Sequence, residues 1–474
     1  MAAKPNPIVI QPASGWSYNN ISYALDDPDT NYDGNSYYQG NLSSPYNDPL
    51  NISCGHASHG LSGTDNYYSN YRVIAVKGTT ASDSNDWYLW HDGETYSVTG
   101  GANIRTNGKT GVTLNFDGSG GKLHFTSNDT ITVNTTGSGI VQVEGTSGTI
   151  NTTSASKFDL SAGSNITITG LVSGNNEITL GSSNHITTGS GDDHITVNGS
   201  SSTVNAGNGD NVITVHGGSN KITTGTDADH ITIDGASNTV NAGNGDNVIT
   251  VHGGSNKITA GTDADHITID GASNTVNAGN GDNVITVHGG SNKITTGTDA
   301  DNITIDGASN TVNAGNGDNQ ITIGSGDHNS IVSGSGKDTI SVAGDSITVN
   351  SGDNNDSITA SGNSDIINAG DDNDSVTMTG NSNTVNAGNG NDHVTISGSD
   401  NKVDAGDGDN EVSVSSGNSN SITSGTGKDT ISISSGDSIT VNSGAGDDKI
   451  TANGNSDIIN AGDDNDSVTM TGNS

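Results

Sequence analysis

"AGNGDNVITVHGGSNKITTGTDADHITIDGASNTVN" occupies residues 206–241 and returns almost unchanged at 242–277 and 278–313. The first return replaces Thr224 by Ala260, and the second replaces His230 by Asn302. Inside the unit a β-branched aliphatic residue falls every nine positions. The beat holds without a slip from Ile186 to Ile321, through Ile195, Val204, Ile213, Ile222, Ile231 and Val240. A period of nine is neither helical nor that of a simple hairpin. It suits a strand of four or five residues followed by a turn of similar length. Two such units make a coil of 18 residues, and stacked coils give two parallel sheets with strands ~4.8 Å apart.

Alternation within the strands sets the core. In Val212–His216 the pattern directs Ile213 and Val215 inward and Val212, Thr214 and His216 outward. On the facing sheet Ile222 and Thr224 point in, as do Val240 and Ala242. One sheet thus supplies two bulky residues per strand and the other one bulky and one small. Such a thin core gives little stabilisation per residue against the entropy of ordering the chain. Something else must hold the turns.

Composition agrees. The 474-residue chain has a net charge of −39, 28% hydrophobic residues and 69 glycines. Residues 111–474 hold 43 acids against 9 bases, a density that repels itself unless cations neutralise it. The same field disfavours nucleic acid and anionic membranes as partners, and no apolar run is long enough for membrane insertion. Cys54 is the single cysteine, so no intrachain disulfide forms. The N-terminus lacks the layout of a cleaved signal peptide.

The aromatics mark a division. All eleven tyrosines lie between Tyr18 and Tyr96, all three tryptophans lie at or before Trp90, and nothing aromatic follows Phe158. We expect a small β-rich aromatic N-terminal domain over 1–110, with strands within 71–78 and 86–92. Irregular first coils are expected over 111–185, where Phe125 and Phe158 fill a wider core. The regular solenoid is expected over 186–474.

The two turns of each coil differ. One reads A-G-N-G-D-N (206–211) or T-G-T-D-A-D (224–229); the other reads H-G-G-S-N (216–220) or D-G-A-S-N (234–238). The first kind, with its following aliphatic, resembles the nonapeptide G-G-x-G-x-D-x-(aliphatic)-x of the RTX (repeats-in-toxin) family. The plainest copies are T-G-S-G-D-D-H-I-T (188–196), S-G-S-G-K-D-T-I-S (333–341), A-G-N-G-N-D-H-V-T (387–395) and S-G-T-G-K-D-T-I-S (424–432). Sixteen such turns follow one another at the spacing of one coil, some steps longer by a single position, ending at Val468. The resemblance implies an all-β, right-handed parallel β-roll whose cofactor is Ca2+, with several ions along one edge. Calcium takes six to eight oxygen ligands, and in the family a carboxylate six places into the nonapeptide joins loop carbonyls. Here that position holds Asp193, Asp229, Asp265, Asp301, Asp338, Asp356, Asp374, Asp392, Asp429, Asp448 and Asp466. Asn211, Asn247, Asn283, Asn319 and Asn410 replace it elsewhere, each preceded by an acid: Asp210, Asp246, Asp282, Asp318 and Asp409. These acids, with Asp192, Asp227, Asp263 and Asp299, complete the candidate metal ligands. The family would also place metal on the opposite edge, but there the sequence offers mainly Ser and Asn. We expect that edge to be largely metal-free and closed by a ladder including Asn220, Asn238, Asn256 and Asn274.

Other signals are weaker. His216, His252 and His288 recur in every second coil, as do His194, His230 and His266, and read as outward polar residues copied with the repeat. Cys54-Gly-His56-Ala-Ser-His59 has metal-ligand spacing but no second cluster to complete it. Thr196, Thr214, Thr232, Thr250, Thr268, Thr286, Thr304 and Thr322 should form an outward threonine row, better explained by strand preference than by ice binding. No H-E-x-x-H, G-x-S-x-G or phosphate loop appears, and we expect no enzymatic activity. The expectation is a secreted bacterial structural protein, folded by calcium and self-associating into a surface layer, fibre or sheath. Tyr37, Tyr38, Tyr67, Tyr68, Tyr71, Trp87 and Trp90 support an alternative, an adhesin binding cell-surface polysaccharide. The resemblance further implies type I export through a C-terminal signal. None is visible, so a longer native chain is expected.

Overall fold

The computed structural model describes the strands Ile8–Ile10, Ser22–Asp26, Tyr38–Leu42, Ile52–Gly55, Arg72–Lys77, Asp86–Leu89 and Thr95–Val98, and residues 92–93. It also describes 103–471 apart from 107, 117–119, 137, 153, 155 and 172–173. The chain forms two units, Met1–Thr226 and Asp227–Ser474.

The second unit is a parallel solenoid. Each strand pairs with the strand two further along the chain, so every coil contributes one strand to each of two ladders. On one ladder Ile231, Ile249, Ile267, Ile285, Ile303 and Ile321 stand in register, each exactly one regular coil beyond the last. The next step, from Ile321 to Ile340, is longer by one position. On the other ladder Val240, Ile258, Val276, Ile294 and Val312 keep the regular step. The side chains alternate as the pattern requires. Ile249 and Val251 are fully buried while Val248 is 37% exposed. On the facing sheet Val240 and Ala242 are buried together. The core is therefore asymmetric, with two bulky residues against one bulky and one small.

The first unit holds the same arrangement with a looser count. Leu123 pairs with Val143, Val141 with Phe158, Phe158 with Ile178 and Ile178 with Ile195, so long and short steps alternate. From Ile195 to Ile213 the step settles at the regular coil. Among the described residues Phe116, Phe125 and Phe158 are the largest buried side chains, and they occupy this irregular stretch. The expected strands within 71–78 and 86–92 are Arg72–Lys77 and Asp86–Leu89, which pair antiparallel. Antiparallel pairing also joins Ser22–Asp26 to Tyr38–Leu42 and to Arg72–Lys77.

Parallel pairing is present ahead of residue 110. Asp86–Leu89 pairs with Asn103–Arg105, Thr95–Val98 with Val112–Phe116, and Ile8–Ile10 with Thr95–Val98. The register positions are Trp87 to Ile104 and Tyr96 to Leu114. The roughly nine-residue beat thus runs back through two aromatic positions, which a search for aliphatic residues alone passes over. The side chains of all the aromatic candidates, and those of the Cys54–His59 cluster, lie outside the described residues.

Candidate calcium edge

The acidic turns follow directly from their glycines. Gly207, Gly243, Gly279 and Gly315 have φ of 73° to 86°, in the left-handed region that costs glycine nothing. At Gly279 a side chain would also collide with the Gly261 carbonyl oxygen of the preceding coil. The glycines therefore let successive turns nest closely, with carbonyls crowded at the corner.

Around this corner the candidate ligands separate into two classes. Asp193, Asp229, Asp265, Asp301, Asp338, Asp356, Asp374, Asp392, Asp429 and Asp448 are all buried, and Asp466 is half-buried. Asp192, Asp210, Asp227, Asp246, Asp263, Asp282, Asp299, Asp318 and Asp409 are all exposed. Several exposed acids already serve the turns: Asp263 accepts the Gly245 N–H at 2.8 Å, Asp299 the Gly281 N–H at 2.9 Å and Asp318 the Lys337 N–H at 2.8 Å. Asp246, Asp282 and Asp409 likewise accept from Ala264, Ala300 and Lys428.

The buried acids form a ladder from coil to coil. The N–H of Asp338 donates to Asp356 Oδ1, that of Asp356 to Asp374 and that of Asp374 to Asp392, each at 2.8 Å. The main-chain ladder runs through Oδ1 of these carboxylates. Oδ2 of Asp193, Asp265, Asp301, Asp338, Asp356, Asp374, Asp392, Asp429 and Asp448 is buried with no hydrogen-bond partner. Leaving a buried carboxylate oxygen bare is costly. Burial pushes the carboxyls of Asp265 and Asp374 up to about 7, against the hydrogen bonds from the Asn247 and Asp356 N–H groups respectively. Burial likewise raises Asp356 to about 6, and shifts Asp193, Asp301, Asp338, Asp392 and Asp429 upward.

The asparagine turns resolve the same problem differently. Their Oδ1 keeps the ladder: the N–H of Asp265 donates to Asn283, and that of Asn283 to Asp301. Their Nδ2 turns back onto the glycine carbonyls of its own loop. Asn283 Nδ2 donates to Gly281 at 2.8 Å, Asn247 to Gly245 at 2.8 Å, and Asn319 to Gly317 at 2.9 Å. Asn211 and Asn410 repeat the contact with Gly209 and Gly408. An asparagine turn thus carries its own donor for these carbonyls. An aspartate turn offers oxygens only, and a hard cation is what such a set accepts. Among the described residues no three His, Cys, Asp or Glu side chains converge. Calcium held here would therefore rest on carboxylate and main-chain carbonyl oxygens together.

The comparisons agree with this chemistry. The family described as "RTX calcium-binding nonapeptide repeat (4 copies)" matches residues 178–213, 196–231, 232–267, 269–303 and 440–468. These stretches are RTX calcium-binding nonapeptide repeats. RTX repeats bind Ca2+ along the β-roll, and Ca2+ is accordingly the cofactor of these repeats. Residues 361–416 match a family described as a protein of unknown function, DUF3060. No curated protein matches the chain. Among solved structures it is similar to "a hyperactive, Ca2+-dependent, beta-helical antifreeze protein from an Antarctic bacterium". The identity is 22% over 68% of this chain and 80% of that one, with a TM-score of 0.29, too low to carry any argument about function.

The edge opposite the RTX turns has a ladder of its own. The N–H groups of Asn238, Asn256, Asn274 and Asn292 donate to the Oδ1 of Asn256, Asn274, Asn292 and Asn310, each at 2.7 Å. Asn220 serves the Ser202 N–H in the same way. The residue before each rung is left-handed although it is not glycine, with Ser255, Ser273 and Ser291 at φ of 59° to 62°. Nδ2 of Asn256, Asn274 and Asn292 is buried and unpartnered, so this edge turns N–H donors inward, the wrong polarity for a cation.

Two rungs of this column carry a carboxylate instead, and sequence reasoning did not single them out. Asp365 and Asp457 stand in the asparagine column, accepting the N–H groups of Ile347 and Ile439. In neighbouring coils Asn383 and Asn401 Nδ2 each donate at 3.1 Å to a glycine carbonyl of the preceding coil. The aspartates have no donor to offer, and their Oδ2 is buried without a partner. Burial pushes Asp365 up to about 6, against the Ile347 N–H, and the charges of Asp345 and Asp327 add to the rise. The available signal was G-N-S-D at 362–365 and 454–457, where other coils have G-x-S-N.

Proposed function

We propose that this chain is a secreted bacterial structural protein whose solenoid is completed by calcium outside the cell and which self-associates into a surface layer, fibre or sheath. The observation that carries the reading is the file of buried, half-satisfied carboxylates in the RTX turns. Without a cation those turns bury bare oxygens and repel one another. With calcium at millimolar extracellular levels the same oxygens become ligands, and binding free energy becomes folding free energy. In low-calcium cytosol the net charge of −39 favours an unfolded, export-ready chain. RTX proteins typically leave the cell by type I secretion, which suits that behaviour. No helix among the described residues is long and apolar enough to cross a membrane.

The role we assign is mechanical rather than enzymatic; the alternative is an adhesin whose partner is a cell-surface polysaccharide. The decisive experiment follows the full chain by far-UV circular dichroism, light scattering and electron microscopy as calcium is added. We expect a gain of β signal followed by ordered assemblies. A folded chain that stays monomeric while binding glycans on an array would replace the structural role with the adhesin reading. No gain of β signal on calcium addition would overturn both.

A further inference from the structure

One column on the outside of the second unit has chemistry that neither turn edge uses. Just after each strand of the ladder through Ile231, Ile249 and Ile267, the residues alternate Asp234, His252, Asp270, His288 and Asp306. Histidines two coils apart are too distant to act together, but an aspartate stands between them. His252 Nδ1 lies 2.7 Å from Asp234 Oδ1, and His288 Nδ1 lies 2.7 Å from Asp270 Oδ1. A carboxylate only accepts, so each Nδ1 carries the hydrogen, and in the neutral ring Nε2 holds a lone pair. That lone pair faces another acceptor. His252 Nε2 is 3.6 Å from Asp270 Oδ2, and His288 Nε2 is 4.0 Å from Asp306 Oδ2.

These gaps are too long for hydrogen bonds. The first is near the separation at which one nitrogen and one oxygen share a tetrahedral metal ion bound at about 2.0–2.2 Å from each, and a small rotation of the exposed Asp306 side chain brings the second to it. We propose that the column binds Zn2+ at two places, one between His252 Nε2 and Asp270 Oδ2, the other between His288 Nε2 and Asp306 Oδ2. Asp270 plays two parts. Its Oδ2 serves the first site, while its Oδ1 fixes the tautomer and direction of His288 for the second. A carboxylate that holds the far nitrogen of a ligating histidine is the usual support of a zinc site. Asp234 does this for His252.

The side chains are 39–51% exposed, so ions reach them freely. With two protein ligands each, the sites complete their shells with water and bind more weakly than a closed structural site. Calcium does not compete, because it prefers oxygen ligands to imidazole nitrogen.

The test titrates the full chain with Zn2+ by calorimetry in saturating calcium, so that the RTX turns are folded and filled. The His252→Ala/His288→Ala double variant should take up two fewer ions per chain. Asp270→Asn should take up one fewer, because the amide oxygen introduced there still accepts from His288 but the side chain no longer offers a carboxylate ligand beside His252. Cu2+ bound to the same chain should show nitrogen coupling in its electron paramagnetic resonance spectrum, diminished in the double variant. All three positions are exposed, and the calcium-dependent β signal confirms that each variant folds. Equal zinc stoichiometry in the parent and the double variant, or no zinc uptake by the parent, would overturn the proposal. Either result would leave the column as a hydrogen-bonded charge ladder only.

Discussion

At the scale of single residues, the contrast between Asp and Asn at one turn position decides what a coil needs. Asp265 and Asn283 occupy equivalent places in successive coils, and both accept a main-chain N–H through Oδ1. They differ in the second atom. Asn283 Nδ2 reaches the Gly281 carbonyl, while Asp265 Oδ2 reaches nothing. Asp265→Asn should therefore lower calcium uptake, measured by equilibrium dialysis, and at the same time stabilise the calcium-free chain. From the shift of Asp265 to about 7, discounted for solvent screening, that stabilisation is on the order of 3 kcal/mol at pH 8. Asn283→Asp should do the reverse, making folding more calcium-dependent. Equal calcium-free stability in the parent and Asp265→Asn would show that Oδ2 is satisfied in some other way.

At the scale of the element, the asparagine edge is where the coils are held without metal. The rungs from Asn256 to Asn310 each give one side-chain oxygen to a neighbouring N–H at 2.7 Å, and they are buried. Asn274→Ala removes the acceptor for the Asn256 N–H and leaves it buried. The expected cost is about 1–3 kcal/mol in urea unfolding, and it should be the same at low and saturating calcium. A cost that disappears when calcium is added would mean that the two edges are not independent. The nine-residue beat made the strands, their alternation and this ladder legible in advance. It did not reveal that Asp365 and Asp457 replace asparagine rungs with bare carboxylates. Their setting depends on what lies one coil away, and a linear pattern does not display that. The start of parallel pairing was hidden for a different reason, since Trp87 and Tyr96 carry the beat as aromatics.

At the scale of the whole molecule, stability should depend on pH and calcium in opposite senses. Burial raises Asp265 and Asp374 to about 7 and Asp356 and Asp365 to about 6. A carboxyl with a raised folded-state pKa holds its proton more tightly in the folded chain than in the unfolded one. Its stabilising contribution is full below the unfolded value near 4 and is lost as pH rises through about 6 to 7. In a calcium chelator, the thermal midpoint should therefore fall between pH 5 and pH 8. Saturating calcium should reverse the trend, because the ionised form is the ligand. A chelated chain as stable at pH 8 as at pH 5 would contradict the burial of these groups. Such a switch is what an exported protein needs if it is to remain unfolded before secretion and fold afterwards.

The sequence by itself determined the coil, the strand faces, the thin asymmetric core and the acidic turns, because each depends on residues close in the chain and on a period that any window displays. The assignment of acids to roles came only from the tertiary structure. Asp192 and Asp193 are neighbours in sequence, yet one is exposed and the other buried. Which of them carries a bare oxygen is fixed by the coil stacked against it, since the N–H groups and carbonyls that satisfy or abandon a carboxylate belong to residues a full coil away along the chain.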